Sequence, residues 1–166
     1  MPPELRRATA TDVAEIVALT EAAFAGYRSF APPGWEPPAQ SLSETAARLG
    51  REGAWAVVAP AGGAIVGVGA FEPAREGRVG ELMDGLAHVW AVFVAAAHWG
   101  DGTATAILAA LTGEMPRRGF GEARLYTPTG QARARRFYAR EGWSERGAPA
   151  PAPEIGLELV ELRRVL

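Results

Sequence analysis

Residues 86–104 read LAHVWAVFVAAAHWGDGTA, and residues 125–143 read LYTPTGQARARRFYAREGW. Leu86 to Val94 is an apolar run of strand length, which predicts a strand buried on both faces. It leads into Trp99-Gly100-Asp101-Gly102-Thr103-Ala104, where two glycines let backbone amides come close to a ligand. A helix follows, with Ile107, Leu108, Leu111 and Met115 on one side and Pro116 ending it. Its first amides lack partners and carry partial positive charge, so turn and helix together suit a diphosphate; a plain tight turn is the competing reading. The second stretch repeats the plan. A strand over Arg124–Thr127 precedes a helix over Thr129–Glu141, with Ala134, Phe137 and Tyr138 inward and Gly142 as its stop.

Upstream, Leu5–Ala8 is short and extended. Thr9 and Asp12 have capping-box spacing, and Val13, Ile16, Val17, Thr20 and Phe24 make one helical face. Gly26–Gln40, rich in Pro and Gly, is a loop carrying Tyr27, Phe30 and Trp35. Ser41 and Glu44 open a second helix that stops near Gly50. Ala54–Ala59 and Ala64–Phe71 form a hairpin across Pro60-Ala61-Gly62-Gly63, and Glu72–Gly85 reads as a polar connection. Past the second stretch, Trp143–Arg146 is extended, Gly147–Pro153 is a stiff loop, and Ile155–Arg163 is a last strand. The order β-α-α-β-β-β-α-β-α-β-β predicts an α/β fold, a mixed sheet with helices on both faces.

At 166 residues and 17.5 kDa the chain has room for one domain over residues 1–166 and a real core. Seventeen basic and nineteen acidic side chains leave a formal charge of −2, which argues against nucleic acid as a partner. All the basic residues are arginine, so no lysine is available as a Schiff-base or general-base group. Cysteine is absent, which excludes disulfides, thiolate nucleophiles and Cys-type metal sites; His88 and His98 alone do not make a histidine metal site. The N-terminal residues lack an apolar signal core, and the run Val89–Ala97 is about half of what a membrane helix needs. The expectation is a cytoplasmic protein with no membrane partner and no metal.

The stretch 125–143 resembles the second conserved block of the GNAT superfamily of N-acetyltransferases, Asn-x-x-Ala-x-x-Phe-Tyr-x-x-x-Gly-Phe. Trp99–Ala104 is similar to the first block, (Gln/Arg)-x-x-Gly-x-(Gly/Ala), and the two occur in the family's order and separation. The likeness in element order runs from Leu5 to Arg163. It implies a GNAT-like fold, a mostly antiparallel sheet in which one parallel pair, here Leu86–Val94 and Arg124–Thr127, splays to admit acetyl-CoA as co-substrate. It also implies transfer of the acetyl group to a primary amine of a small molecule or peptide by direct attack in a ternary complex. A non-catalytic acyl-CoA-binding or regulatory module of the same fold is the alternative, and a homodimer is common among relatives.

Carried over by position, the backbone of Val92 and Val94 pairs with pantetheine, and the Val92 amide holds the oxyanion. Trp99, Gly100, Asp101, Gly102, Thr103 and Ala104 form the pyrophosphate turn. Gln131 stands for the Asn, Ala134 and Phe137 line the cofactor side, and Tyr138 protonates the leaving thiolate. Three positions depart from the pattern: Trp99 replaces Gln/Arg, Asp101 brings a negative charge, and Gln131 is one methylene longer than Asn. Arg133, Arg135 and Arg136 are near enough in sequence to reach a ribose phosphate; a solvated face is their alternative.

An amine of pKa ~10.4 is neutral only about once in 2,500 at pH 7, a cost of about 4.6 kcal/mol, so a general base is useful. In histone-modifying members a glutamate on the strand before the glycine turn has that role. His88, eleven positions before Trp99, matches the place; its other reading is a hydrogen bond within the sheet. Glu72, Glu81 and Asp84 are rival bases or amine anchors, or solvated charges. Tyr27, Phe30 and Trp35 wall the acceptor pocket, because in this family the loop after the first helix covers it; structural packing is their alternative.

Overall fold

The apolar strand expected at Leu86–Val94 lies at the centre of a mixed sheet, where its composition belongs. A computed structural model describes residues 3–77 and 79–166. Met1 and Pro2, in the stretch read for a targeting signal, and Arg78, in the expected polar connection, lie outside the described residues. Among those residues the strands are β1 (Arg6–Arg7), β2 (Trp55–Ala61), β3 (Ala64–Arg75), β4 (Leu82–Val94), β5 (Glu122–Pro128), β6 (Ser144–Ala152) and β7 (Leu157–Val165). The α-helices are α1 (Val13–Gly26), α2 (Leu42–Leu49), α3 (Thr103–Glu114) and α4 (Ala132–Arg140). Sheet order is β1-β2-β3-β4-β5-β7-β6, antiparallel except between β4 and β5. No helix among the described residues is long and apolar enough to cross a membrane.

Both expected caps are formed. The Asp12 carboxylate accepts from the Thr9 amide at 2.7 Å, and a short 3-10 turn leads into α1. The Ser41 hydroxyl accepts from the Glu44 amide at 3.2 Å and starts α2. Strand alternation divides the core between the two faces. On one, α3 and α4 bury Ile107, Leu111 and Tyr138 against Phe71, Val89, Leu125 and Leu162. On the other, α1 sets Ile16 and Leu19 against Val58 and Val68, and Leu49 of α2 packs on Ala56, Ala70 and Ala91. Two glycines of β3 fix how close α3 comes. A Cβ at Gly67 would lie 2.8 Å from Ile107 Cδ1, and one at Gly69 would collide with Ile107 Cγ2.

Three boundaries differ from expectation. The polar connection Glu72–Gly85 is mostly strand, because β3 runs to Arg75 and β4 begins at Leu82. Pro73 lies past the end of the β2 pairing, where β3 has a free edge that tolerates a missing N–H, and Ala74 is fully buried. Gly147–Pro153 is not a loop but most of β6, an edge strand with a register shift between Arg146 and Ala150. Prolines at an edge discourage pairing with other chains without breaking the sheet. Finally, α4 starts at Ala132 rather than Thr129. Gly130 holds the turn against Phe30, with room for no Cβ (2.9 Å to Phe30 Cδ2), and the Gln131 side chain turns back toward β5.

Candidate active site

β4 and β5 pair only at Leu86–Glu122, Ala87–Ala123 and His88–Arg124; beyond these they separate. On its other side β4 stays bonded to β3 as far as Val94. A register shift leaves Trp90 as an extra residue between Val89 and Ala91, a bulge at the mouth of the gap. The Ala95 amide bonds to Val66 O at 2.8 Å on the β3 side. Alternation therefore turns the N–H and C=O of Val94 and Val92 away from β3 and into the gap. The gap opens into a cleft of about 2170 Å³.

At the head of the cleft stands the glycine turn. Gly100 (φ +83°) and Gly102 (φ +94°) adopt left-handed backbone that other residues rarely take, and Gly100 faces open space. Gly100, Gly102 and Ala104 line the cleft, whereas Asp101 and Thr103 turn away from it. The Asp101 carboxylate accepts from the Thr103 hydroxyl (2.6 Å), the Thr103 amide (2.9 Å) and His98 Nδ1 (2.9 Å). The two Thr103 bonds, then His98, hold its pKa down at about 2. The negative charge is thus tied into the turn, and it occupies the Thr103 amide that the resemblance assigned to a phosphate. Trp99 replaces the usual polar residue with a bridge. Its indole donates to Val94 O at 2.9 Å, and the Arg133 guanidinium lies over its ring at 4.7 Å, joining the turn to α4.

Two phenols meet on the opposite wall. Tyr138 is buried and stacks edge-on against Phe137 and Trp143. Burial, and then the neighbouring Tyr27, push its pKa well above the usual phenol value. Burial pushes Tyr27 up to about 12, opposed by its hydrogen bond with Gln131. Gln131 Oε1 in turn accepts from the Thr127 hydroxyl at 3.2 Å. Gln131 therefore ties the loop after α1 to β5 instead of capping α4.

On the α1/α2 face a row of polar side chains crosses the sheet, Glu72, His88 and Arg124, in register on β3, β4 and β5. Glu72 is a buried carboxylate clamped by Arg48 (2.7 and 3.0 Å) and Arg51 (3.3 Å) from α2 and the turn after it. Arg124, 4% exposed, donates through Nε to His88 Nδ1 at 3.3 Å and through Nη1 to Arg75 O at 3.0 Å. A ring accepting at Nδ1 carries its hydrogen on Nε2.

The cleft thus brings together Tyr27, Phe30, Glu72, His88, Val92, Val94, Trp99, Gln131, Ala134, Phe137 and Tyr138. Glu81 and Asp84 are exposed and do not line it. Trp35 stands behind it, stacked on Tyr27 and donating to Ile155 O at 2.7 Å. Arg133 and Arg136 line the cleft, while Arg135 is paired with Glu145 outside it. Sequence reasoning missed Arg124 as a site residue and the nearness of Tyr27 to Tyr138. An arginine alternating with Ala123 and Leu125 in a buried strand was the available signal for Arg124.

A family model described as the acetyltransferase (GNAT) family matches residues 19–143. The chain belongs to that family. By structure it is similar to a ribosomal-protein-alanine N-acetyltransferase from Brucella melitensis, with a TM-score of 0.76 and 21% identity, covering 98% of this chain and 99% of that one. A putative acetyltransferase from Salmonella typhimurium with its cofactor acetyl-CoA gives 0.74 and 19%, covering 98% and 92%. An N-acetyltransferase from Thermoplasma acidophilum in complex with coenzyme A gives 0.74 and 13%, covering both chains fully. No curated protein matches the sequence.

Proposed function

We propose that the protein transfers an acetyl group from acetyl-CoA to a primary amine of a small molecule or peptide, by direct attack within a ternary complex. The observation that carries this reading is the gap itself: β4 leaves β5 after His88, and the backbone of Val92 and Val94 faces the space so opened. Strand-like main-chain pairing with an amide-bearing arm needs unpaired groups; those turned into the gap are the N–H and C=O of Val92 and the N–H of Val94, whose carbonyl already accepts from the Trp99 indole. The glycine turn and the free amides at the start of α3 suit the diphosphate, with the Thr103 amide already occupied. Family membership and the coenzyme bound in two similar structures support the same donor.

The co-substrate supplies an activated acyl group; the chain's residues position it and handle charge. The Val92 N–H, turned into the gap, donates a hydrogen bond to the developing oxyanion. The neutral amine's nitrogen bonds to the acyl carbon, the C–S bond breaks, and the proton the nitrogen gives up to solvent balances the one the departing thiolate takes from it, so that amide and thiol are the products. Tyr138, kept protonated by burial, donates a hydrogen bond to that sulfur. A phenol held above its usual value of ~10 does not give its proton outright to a thiolate of pKa ~8.5, so stabilising the charge is its main contribution. His88 accepts from Arg124 at Nδ1, and in that state it orients a substrate rather than deprotonating it.

The test is a thiol-release assay with acetyl-CoA across a panel of amines, alongside calorimetric titration with coenzyme A. Turnover with at least one amine is the expected result. Tight coenzyme A binding with no turnover for any amine would instead favour the non-catalytic module.

A further inference from the structure

Arg124 is a buried cation on the cleft wall with no anion paired to it among the described residues. Its side chain is buried, and moving a cation out of water costs several kcal/mol unless an anion answers it. None does among the described residues. Its bonds go to an imidazole nitrogen, a carbonyl oxygen and, at 3.6 Å, the Met83 sulfur, and its guanidinium lies 5.1 Å from the Tyr126 ring centroid. All these partners are neutral. Nη2, with two hydrogens, has no acceptor among the described residues. Nor is it sealed in, since the buried side-chain nitrogens lacking a partner are those of Trp90 and Trp143. Arg124 lines the cleft, so the free end of its fork is open to whatever enters there.

Its surroundings add positive charge. Arg48, Arg51 and Arg75 line the same cleft, and the one buried carboxylate there, Glu72, is already held by Arg48 and Arg51. Glu44, Glu52 and Glu154 border the cleft but are exposed. Arg124 also sits at the closed end of the wedge, at the last β4–β5 pair. Its face of the sheet is the one opposite Tyr138. A donor occupying the gap therefore leaves Arg124 on the side from which an acceptor approaches.

We infer that the acceptor amine carries an anionic group, a carboxylate or a phosphonate one or two bonds from the amine-bearing carbon, and that Arg124 Nη2 docks it. The acceptor class is then amino acids and their acidic analogues rather than polyamines or neutral amines. This inference rests on the acyltransfer reading. An anion at Nη2 would neutralise the buried guanidinium and hold the amine at a set distance from the thioester, with His88 beside it.

The experiment pairs L-alanine, L-methionine, L-phenylalanine and L-glutamate with their amino alcohols, adds 1-aminoethylphosphonate, and measures kcat/KM for each with acetyl-CoA. Each amino alcohol keeps the amine and drops the carboxylate on its α-carbon. Acids preferred over alcohols by tenfold or more are expected. In Arg124→Gln and Arg124→Lys the acids should lose at least tenfold, chiefly through KM. The alcohols should lose several-fold less than the acids, and the affinity for coenzyme A should stay within about twofold. The wild-type comparison needs no variant, so a misfolded Arg124→Gln does not blunt it. Alcohols used as well as acids, or both classes falling alike in the variants, would overturn the inference. If no amine turns over while coenzyme A still binds, the acyltransfer reading fails. The anion site is then decided by calorimetric binding of the same acids to the coenzyme A complex, and their failure to bind overturns it too.

Discussion

Tyr138 is a core residue that the proposed reaction also uses. Its ring packs against Phe137 and Trp143, and the side chain lines the cleft where the proposed reaction needs a donor to the sulfur. Tyr138→Phe keeps the ring and removes only the hydroxyl. A hydrogen bond to a charged group is worth about 1.5–3 kcal/mol, so kcat should fall about ten- to a hundredfold. Coenzyme A affinity should stay within about twofold, and steady-state kinetics with calorimetry will separate the two. Equal kcat in the variant would remove the hydroxyl from the reaction. Tyr138 was legible in the sequence because its spacing from Ala134, Phe137 and Gly142 is local. Arg124 was not, because its meaning lies in the partners it lacks. Asp101 was legible only as a charge; what neutralises its effect is Thr103 and His98 folding back on it, which the residue types alone did not reveal.

Elements are positioned by a few contacts whose loss is measurable. α3 carries the glycine turn, and its height above the sheet is set by Gly67 and Gly69. Gly69→Ala drives a methyl into Ile107 and should cost about 1–3 kcal/mol, the range for overpacking a tight core. For a chain of this length that lowers Tm by about 2–12 °C. Pairing the change with Ile107→Ala should recover less than the whole loss, since a cavity replaces the clash. α1 depends on Asp12, whose pKa falls to about 2 through Arg6 first and then Thr9. A depressed carboxylate stabilises the fold above its ordinary value of 3.8, and the contribution is lost as pH falls through about 2. Asp12→Asn should therefore lower stability near neutrality by about 1 kcal/mol, discounted because Arg6 is half exposed. The gap between thermal melts of the two proteins should narrow from about pH 4 downward and close only below about pH 2; a gap that stays constant with pH would assign the effect to packing. Of the elements, the caps, the apolar strand and the Ala-rich helix were readable from local pattern. The lengths of β3 and β6 were not, because proline and glutamate signal a loop unless their place at a free edge, or a pair of arginines, is known.

At the scale of the molecule, the cleft is an unfilled seam between two halves of one sheet. β1 to β4 form one half and β5, β7 and β6 the other; among the described residues three register pairs and the Gly121–Gly85 backbone bond join β4 to the β5 side. Trp99 and Arg133 span the cleft between the turn and α4, a contact worth about 0.5–1 kcal/mol at such an exposed site. A ligand laid along Val92 and Val94 with its diphosphate at Gly102 would touch β4, α3 and α4 together, and so bind the native state but not the unfolded chain. At a hundredfold excess over Kd such a ligand adds about 2.7 kcal/mol. Coenzyme A at that concentration should raise Tm by about 5–11 °C. Adenosine alone, which does not reach the strand amides or the turn, should raise it far less. The order of the two shifts is the informative quantity. Adenosine matching coenzyme A would place the binding energy in a base pocket and not in the seam, and the opened β4–β5 pair would then have no role in holding the donor.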